Sequence, residues 1–130
     1  MQHISLKTKS VLVVDDSAFI RNLIIAALKT INITQIKEVS DGRQAYAALQ
    51  KRRFDLIICD WHMPEMEGIE LLKKVRSEER LKNTPFIMLT SDVTTESVKE
   101  AITAGVNEYL TKPFRNDALV EKVLRLFDAN

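Results

Sequence analysis

Cysteine, net charge, long apolar runs and soft metal ligands are all scarce in this sequence of 130 residues. No apolar stretch reaches the roughly 18 residues that a bilayer crossing requires. The opening MQHISLKTK lacks a secretory core as well. A cytoplasmic protein with no membrane insertion is expected. The single cysteine, Cys59, cannot form an internal disulfide, and its setting in LIICD predicts a packed core thiol in a reducing compartment. Formal charge is only +1, from 19 basic and 18 acidic residues. That balance gives no broad field to attract nucleic acid or anionic lipid. The basic run Lys51-Arg52-Arg53 adjoins a predicted helix end, where cations are favourable in any case, and reads as solvated surface. His3 and His62 do not make a zinc site, because only one lies near acids and nothing supplies the remaining soft ligands.

What the sequence does contain is a regular alternation. Strands are predicted at Val11–Val14, Gln35–Val39, Leu56–Cys59, Phe86–Leu89 and Glu108–Leu110. Between them, apolar residues recur at helical spacing. Ile20, Leu23, Ile24, Ala27 and Leu28 share one face, and Ala45, Ala48 and Leu49 the next. Ile69, Leu72 and Val75 follow, then Val98, Ala101 and Ile102, and last Leu119, Val120, Val123, Leu124 and Phe127. Five strand–helix alternations call for an α/β, doubly wound (βα)5 fold, a five-stranded parallel sheet with helices on both faces. Right-handed crossovers leave few windings open. The length suits one domain over residues 1–130, with a core from about residue 10 to 128 and no output domain.

The sparse glycines and prolines punctuate this pattern. Asp41-Gly42 predicts a turn before the second helix, and Pro64 with Gly68 the loop entering the third. Pro85 precedes the fourth strand, where an absent amide is tolerable. Gly105 stops the fourth helix, and Asn116 or Asp117 is expected to cap the last.

VLVVDD poses the chemical question: a buried strand runs straight into two adjacent carboxylates, which repel each other. In a doubly wound sheet, ligands bind beyond the carboxyl ends of the strands. Those ends deliver Asp15 and Asp16, then Asp60, then Thr90 and Ser91, and finally Lys112. Three carboxylates suit a hard divalent cation that keeps several of its waters, Mg²⁺ above all, with Mn²⁺ as a substitute. Beside such a metal, Asp60 can act as a nucleophile toward phosphorus. The metal, Lys112 and the Thr90 hydroxyl would neutralise the phosphoryl oxygens.

Assembled in this way, the residues resemble a response-regulator receiver domain of two-component signalling. The resemblance rests on VLVVDDS, the DG of VSDGRQA, DLIICDWHMPEMEG, PFIMLTS, AGVNEYLTKPF and the final amphipathic helix, in order from Val11 to Phe127. CDWHMPEMEG and LTKPF are its most specific pieces. The pattern Asp-Trp-x-Met-Pro-x-Met-x-Gly, here Asp60 to Gly68, is similar to that of the single-domain, CheY-like chemotaxis regulators.

The resemblance implies a flavodoxin-like sheet in the order 2-1-3-4-5. It makes Asp60 the phosphoacceptor, with Asp16 touching Mg²⁺ directly and Asp15 mostly through water. The backbone carbonyl of His62 becomes a further ligand. Lys112 would pair with the phosphoryl group, and Pro113 resembles the proline that follows this lysine in a cis bond. Thr90 and Tyr109 look like the family's switch pair. His62 and Asp92 stand where side chains tune phosphoryl lifetime, and Ser91 adds a hydroxyl beside the phosphate site.

The implied partners are a histidine kinase or phosphotransfer protein, a downstream effector such as a flagellar motor component, and a phosphatase. The chain would act as a monomer that catalyses its own aspartyl phosphorylation and slow dephosphorylation. Three other readings fare worse. A Mg²⁺-dependent phosphohydrolase needs a second positioned acid and a leaving-group pocket. A phosphorylation-independent scaffold does not need the complete acid, hydroxyl and lysine set. A DNA-binding regulator needs a further domain.

Overall fold

The computed structural model describes residues 6–128, so His3 lies outside the described residues. Five strands, β1 (Ser10–Val14), β2 (Gln35–Val39), β3 (Leu56–Asp60), β4 (Phe86–Thr90) and β5 (Glu108–Thr111), alternate with five helices. The helices are α1 (Ala18–Lys29), α2 (Gly42–Lys51), α3 (Gly68–Ser77), α4 (Thr95–Ala104) and α5 (Asn116–Asp128). The sheet order is β2-β1-β3-β4-β5 and every pair is parallel. The expected doubly wound fold and winding are both present.

Side-chain alternation explains why the central strands read as unbroken apolar runs. Leu12, Val14, Ile57, Cys59, Phe86 and Met88 pack toward α2, α3 and α4. Val11, Val13, Leu56, Ile58, Ile87 and Leu89 pack toward α1 and α5. With both faces covered, β1, β3 and β4 are buried at every position. The edge strands QIKEV and EYLT have a neighbour on one side only and carry polar residues accordingly.

Strand ends and helix starts differ in instructive ways from the periodicity. β3, β4 and β5 each run one residue further, taking in Asp60, Thr90 and Thr111. Asp60 pairs with Leu89 and Thr90 with Thr111, and the ladder continues through Trp61 N–H to Leu89 O (2.9 Å) and Lys112 N–H to Thr90 O (2.9 Å). A parallel neighbour that continues offers these polar residues backbone partners, so they stay in the sheet. Leu23 and Ile102, expected on core faces, are 43% and 65% exposed, because those apolar stripes are wider than the surface they cover. Ser17, Asp41 and Thr94 cap α1, α2 and α4 through their side-chain oxygens, and Gly105 ends α4 at φ 98°. Neither Asn116 nor Asp117 caps α5. The carbonyl of Arg115 receives the first helical amides, from Ala118 and Leu119, while the Asp117 carboxylate pairs with the Arg115 guanidinium at 3.1 Å. Among the described residues, no helix is long and apolar enough to cross a membrane.

Candidate functional site

At the carboxyl edge of the sheet, Asp15, Asp16 and Asp60 each offer a carboxylate oxygen, and all three oxygens lie within 4.8 Å of one another. Asp15 is completely buried, Asp60 is 6% exposed, and Asp16 faces solvent. The Lys112 ammonium reaches in from the end of β5, 2.9 Å from Asp15 Oδ2 and 3.1 Å from Asp60 Oδ1. Asp15 Oδ1 accepts the Ser17 amide at 2.9 Å, so both of its oxygens already have partners. The Lys112–Pro113 peptide is cis, as the family pattern implies.

Three acids facing one ammonium leave an excess of negative charge in a desolvated place. Burial pushes the Asp60 carboxyl above its ordinary range, the Asp15 charge adds to this, and Lys112 partly offsets both. Burial alone would lower Lys112, but its bonds to Asp15 and Asp60 outweigh that and leave it raised. Behind them the Cys59 thiol is pushed well up, first by burial and then by Asp60 and Asp15, so it stays neutral. Its Sγ–H points at the Asp60 carbonyl, 3.2 Å away. The donor set is all oxygen, anionic and open to solvent on the Asp16 side. It fits a hard divalent cation.

The hydroxyl and aromatic candidates meet on the adjoining loop. Thr90 is fully buried, and its Oγ1 accepts the amide of Asp92 at 3.0 Å. The Tyr109 hydroxyl donates to the carbonyl of the same Asp92. One residue thus touches both members of the expected pair. The Asp92 carboxylate is turned to the start of α4, accepting from the Thr94 amide (3.0 Å) and the Ser97 hydroxyl (2.8 Å), and these bonds hold its pKa low. Ser91 is exposed beside Thr90. His62 sits in the exposed loop after Asp60, its Nδ1 3.3 Å from Glu67.

Two further residues shape the site in ways that no motif announces, although Gly68 itself closes the Asp60–Gly68 pattern. Gly68 brings the start of α3 so close to β3 that a Cβ there would lie 2.2 Å from the Asp60 carbonyl oxygen. Arg21 donates to the Asp15 carbonyl from Nη1 at 2.7 Å and to Glu38 from Nε at 2.7 Å. Its signal in the sequence is faint: a cation at the start of a helix opposes the helix dipole and needs a local partner.

Residues 11–124 match the family described as the response regulator receiver domain. The chain is 38% identical over 128 residues to the chemotaxis protein CheY-3 of Vibrio cholerae, covering 98% of each. It is similar to the solved structure of the Vibrio cholerae chemotaxis response regulator CheY4, with a TM-score of 0.84 at 38% identity over 91% of this chain and 98% of that one. A receiver domain of a sensor histidine kinase from Pseudomonas aeruginosa, solved with a magnesium ion coordinated in its active site cleft, gives a TM-score of 0.82 at 27% identity, covering 94% of this chain and 98% of that one. Fold, sequence match and the acid–lysine cluster at the sheet edge agree: the chain belongs to the response-regulator receiver-domain family, with the CheY-like chemotaxis regulators.

Proposed function

We propose that the chain is a Mg²⁺-dependent, phosphoryl-accepting signalling switch with Asp60 as its acceptor. The observation that carries this reading is the Lys112 ammonium held between Asp15 and Asp60 within a cluster of three carboxylates. Asp15, Asp16, Asp60 and the His62 carbonyl are the groups that would hold the metal, with Mn²⁺ as a substitute. Asp15, whose two oxygens are taken by Ser17 and Lys112, suits the outer role. The magnesium ion held in the related histidine-kinase receiver domain supports the assignment. When bound, the metal supplies charge neutralisation to the phosphoryl oxygens.

The chain's own residues do the rest. An oxygen of Asp60 bonds to phosphorus as the P–N bond of a partner phosphohistidine breaks, and the departing imidazole keeps the electron pair. Lys112 stays against the transferred group, and the Thr90 hydroxyl turns from the Asp92 amide toward its oxygens, with Ser91 beside it. His62 and Asp92 tune the lifetime of the product, Asp92 through the loop that its carboxylate ties down. Tyr109, bonded to the same loop, passes the change outward.

The phosphodonor is a histidine kinase, a phosphotransfer protein or a small acyl phosphate. By analogy with the chemotaxis relatives, the output goes to a protein such as a flagellar motor component, with a phosphatase to reset it and a cytoplasmic monomer as the working form. Incubation with Mg²⁺ and acetyl phosphate should add one phosphoryl group to the intact mass. The increment should vanish in Asp60→Asn, and persistent labelling of that variant at a comparable rate would overturn the assignment.

A further inference from the structure

We infer that Arg21 is a positioning residue for metal binding, acting on the peptide that joins Asp15 to Asp16. The inference rests on the Mg²⁺-dependent reading above. The carbonyl that Arg21 holds at 2.7 Å is that of Asp15, and it belongs to the peptide whose nitrogen is that of Asp16. Rotation of this one peptide plane would swing the Asp16 carboxylate relative to those of Asp15 and Asp60. Within this turn the hydrogen bonds fall on Asp15 and Ser17, while Asp16 is exposed and neither its amide nor its carboxylate is bonded to another described residue.

The rest of the turn is fixed on its Asp15 side. The Asp15 amide bonds to Val39 O at 3.2 Å, and its carboxylate bonds to Ser17 and Lys112. Arg21 supplies the constraint on the Asp16 side. Arg21 is itself held: its backbone amide bonds to Ser17 O at 3.0 Å, its guanidinium Nε bonds to Glu38 on β2, and its side chain is only 18% exposed.

Glu38 balances the guanidinium charge, so Arg21 does not act as a fixed counter-charge to the acid cluster. Its role is geometric. Outer groups that orient metal ligands act in this way generally, and losing one weakens metal affinity without removing a ligand.

Titration with Mg²⁺, followed by the fluorescence of Trp61 next to Asp60, reads the metal site directly and without turnover. Arg21→Met keeps much of the apolar stem and should raise the Mg²⁺ dissociation constant about tenfold. Its maximal rate of phosphorylation by acetyl phosphate at saturating Mg²⁺ should stay within about twofold of wild type, since positioning for binding is what is lost. Arg21→Lys retains a donor and should recover part of the affinity. Glu38→Ala, which frees the guanidinium without removing it, should cost a smaller factor of about three. An unchanged dissociation constant in a folded Arg21→Met protein would overturn the inference. If that variant does not fold, unchanged constants in both Arg21→Lys and Glu38→Ala would overturn it equally. A wild type that shows no Mg²⁺ response would instead sink the metal-dependent reading itself, so the two failures are distinguishable.

Discussion

At the scale of single residues, the site pits burial against charge, and Asp60 bears the conflict. Its carboxyl titrates above the ordinary carboxylate range because burial and Asp15 disfavour its anion more than Lys112 favours it. The linkage has a definite sign. Between the ordinary carboxylate pKa and the raised one, the folded chain keeps a proton that the unfolded chain has released, so this group's contribution to stability falls as pH rises through that window. Above it, the ionised Asp60 is a standing cost to the metal-free fold. Asp60→Asn removes the charge at nearly constant shape and should raise the melting temperature in chelator at neutral pH by about 2–5 °C. The gain should shrink as the pH is lowered into and below the window. A variant that melts below wild type in chelator at neutral pH would show that the bond to Lys112 outweighs the burial and repulsion.

At the scale of elements, the site is the meeting of strand ends with helix starts, and its legibility in the sequence follows from that. Asp15, Asp16, Asp60, Thr90 and Lys112 stand out because each interrupts or closes an apolar strand, and the winding rule gathers such ends at one edge. Arg21 does not stand out, nor does the bonding of the Asp92 carboxylate to the start of α4, since these partners are a backbone carbonyl and a helix cap set by the fold. The exposure of Leu23 and Ile102 was equally hidden, because periodicity marks a stripe and gives no width for the surface that covers it. Gly68 could be read as loop punctuation but not as a close approach. With the Asp60 carbonyl 2.2 Å from where a Cβ would stand, and with its own amide bonded to Trp61 O at 2.8 Å, Gly68 has no room to retreat. Gly68→Ala should therefore destabilise the fold by about 1–3 kcal/mol by forcing α3 away from β3. Chemical denaturation checks this, and a loss below about 0.5 kcal/mol, the ordinary scale of a surface change, would show that α3 shifts freely.

At the scale of the whole molecule, the question is how a change at Asp60 reaches a partner. The hydrogen bonds trace one route. Thr90 Oγ1 holds the Asp92 amide, Tyr109 holds the Asp92 carbonyl, and the Asp92 carboxylate holds the first turn of α4 through Thr94 and Ser97. In the proposed switch, drawing the Thr90 hydroxyl toward new phosphoryl oxygens would take its acceptor from the Asp92 amide and release one of these ties. The loop and the start of α4 would then resettle, with Tyr109 following from β5. On the proposed reading, a local change of charge would thereby become a shift between two packings of the same surface. We propose that this surface is the one formed by α4, β5 and α5. Val93 and Ile102 in its loop and helix are 61% and 65% exposed, apolar side chains available to a protein partner. Activation with beryllofluoride and Mg²⁺ should shift backbone amide resonances in residues 91–104 and 108–128 beyond those lining the acid cluster. Thr90→Ala should keep the shifts near Asp60 and lose most of those on α4 and β5. Tyr109→Ala should leave the Asp60 response intact and reduce the response of α4. Shifts confined to the acid cluster in the wild type, or shifts that spread mainly through α1 and α2, would overturn this route.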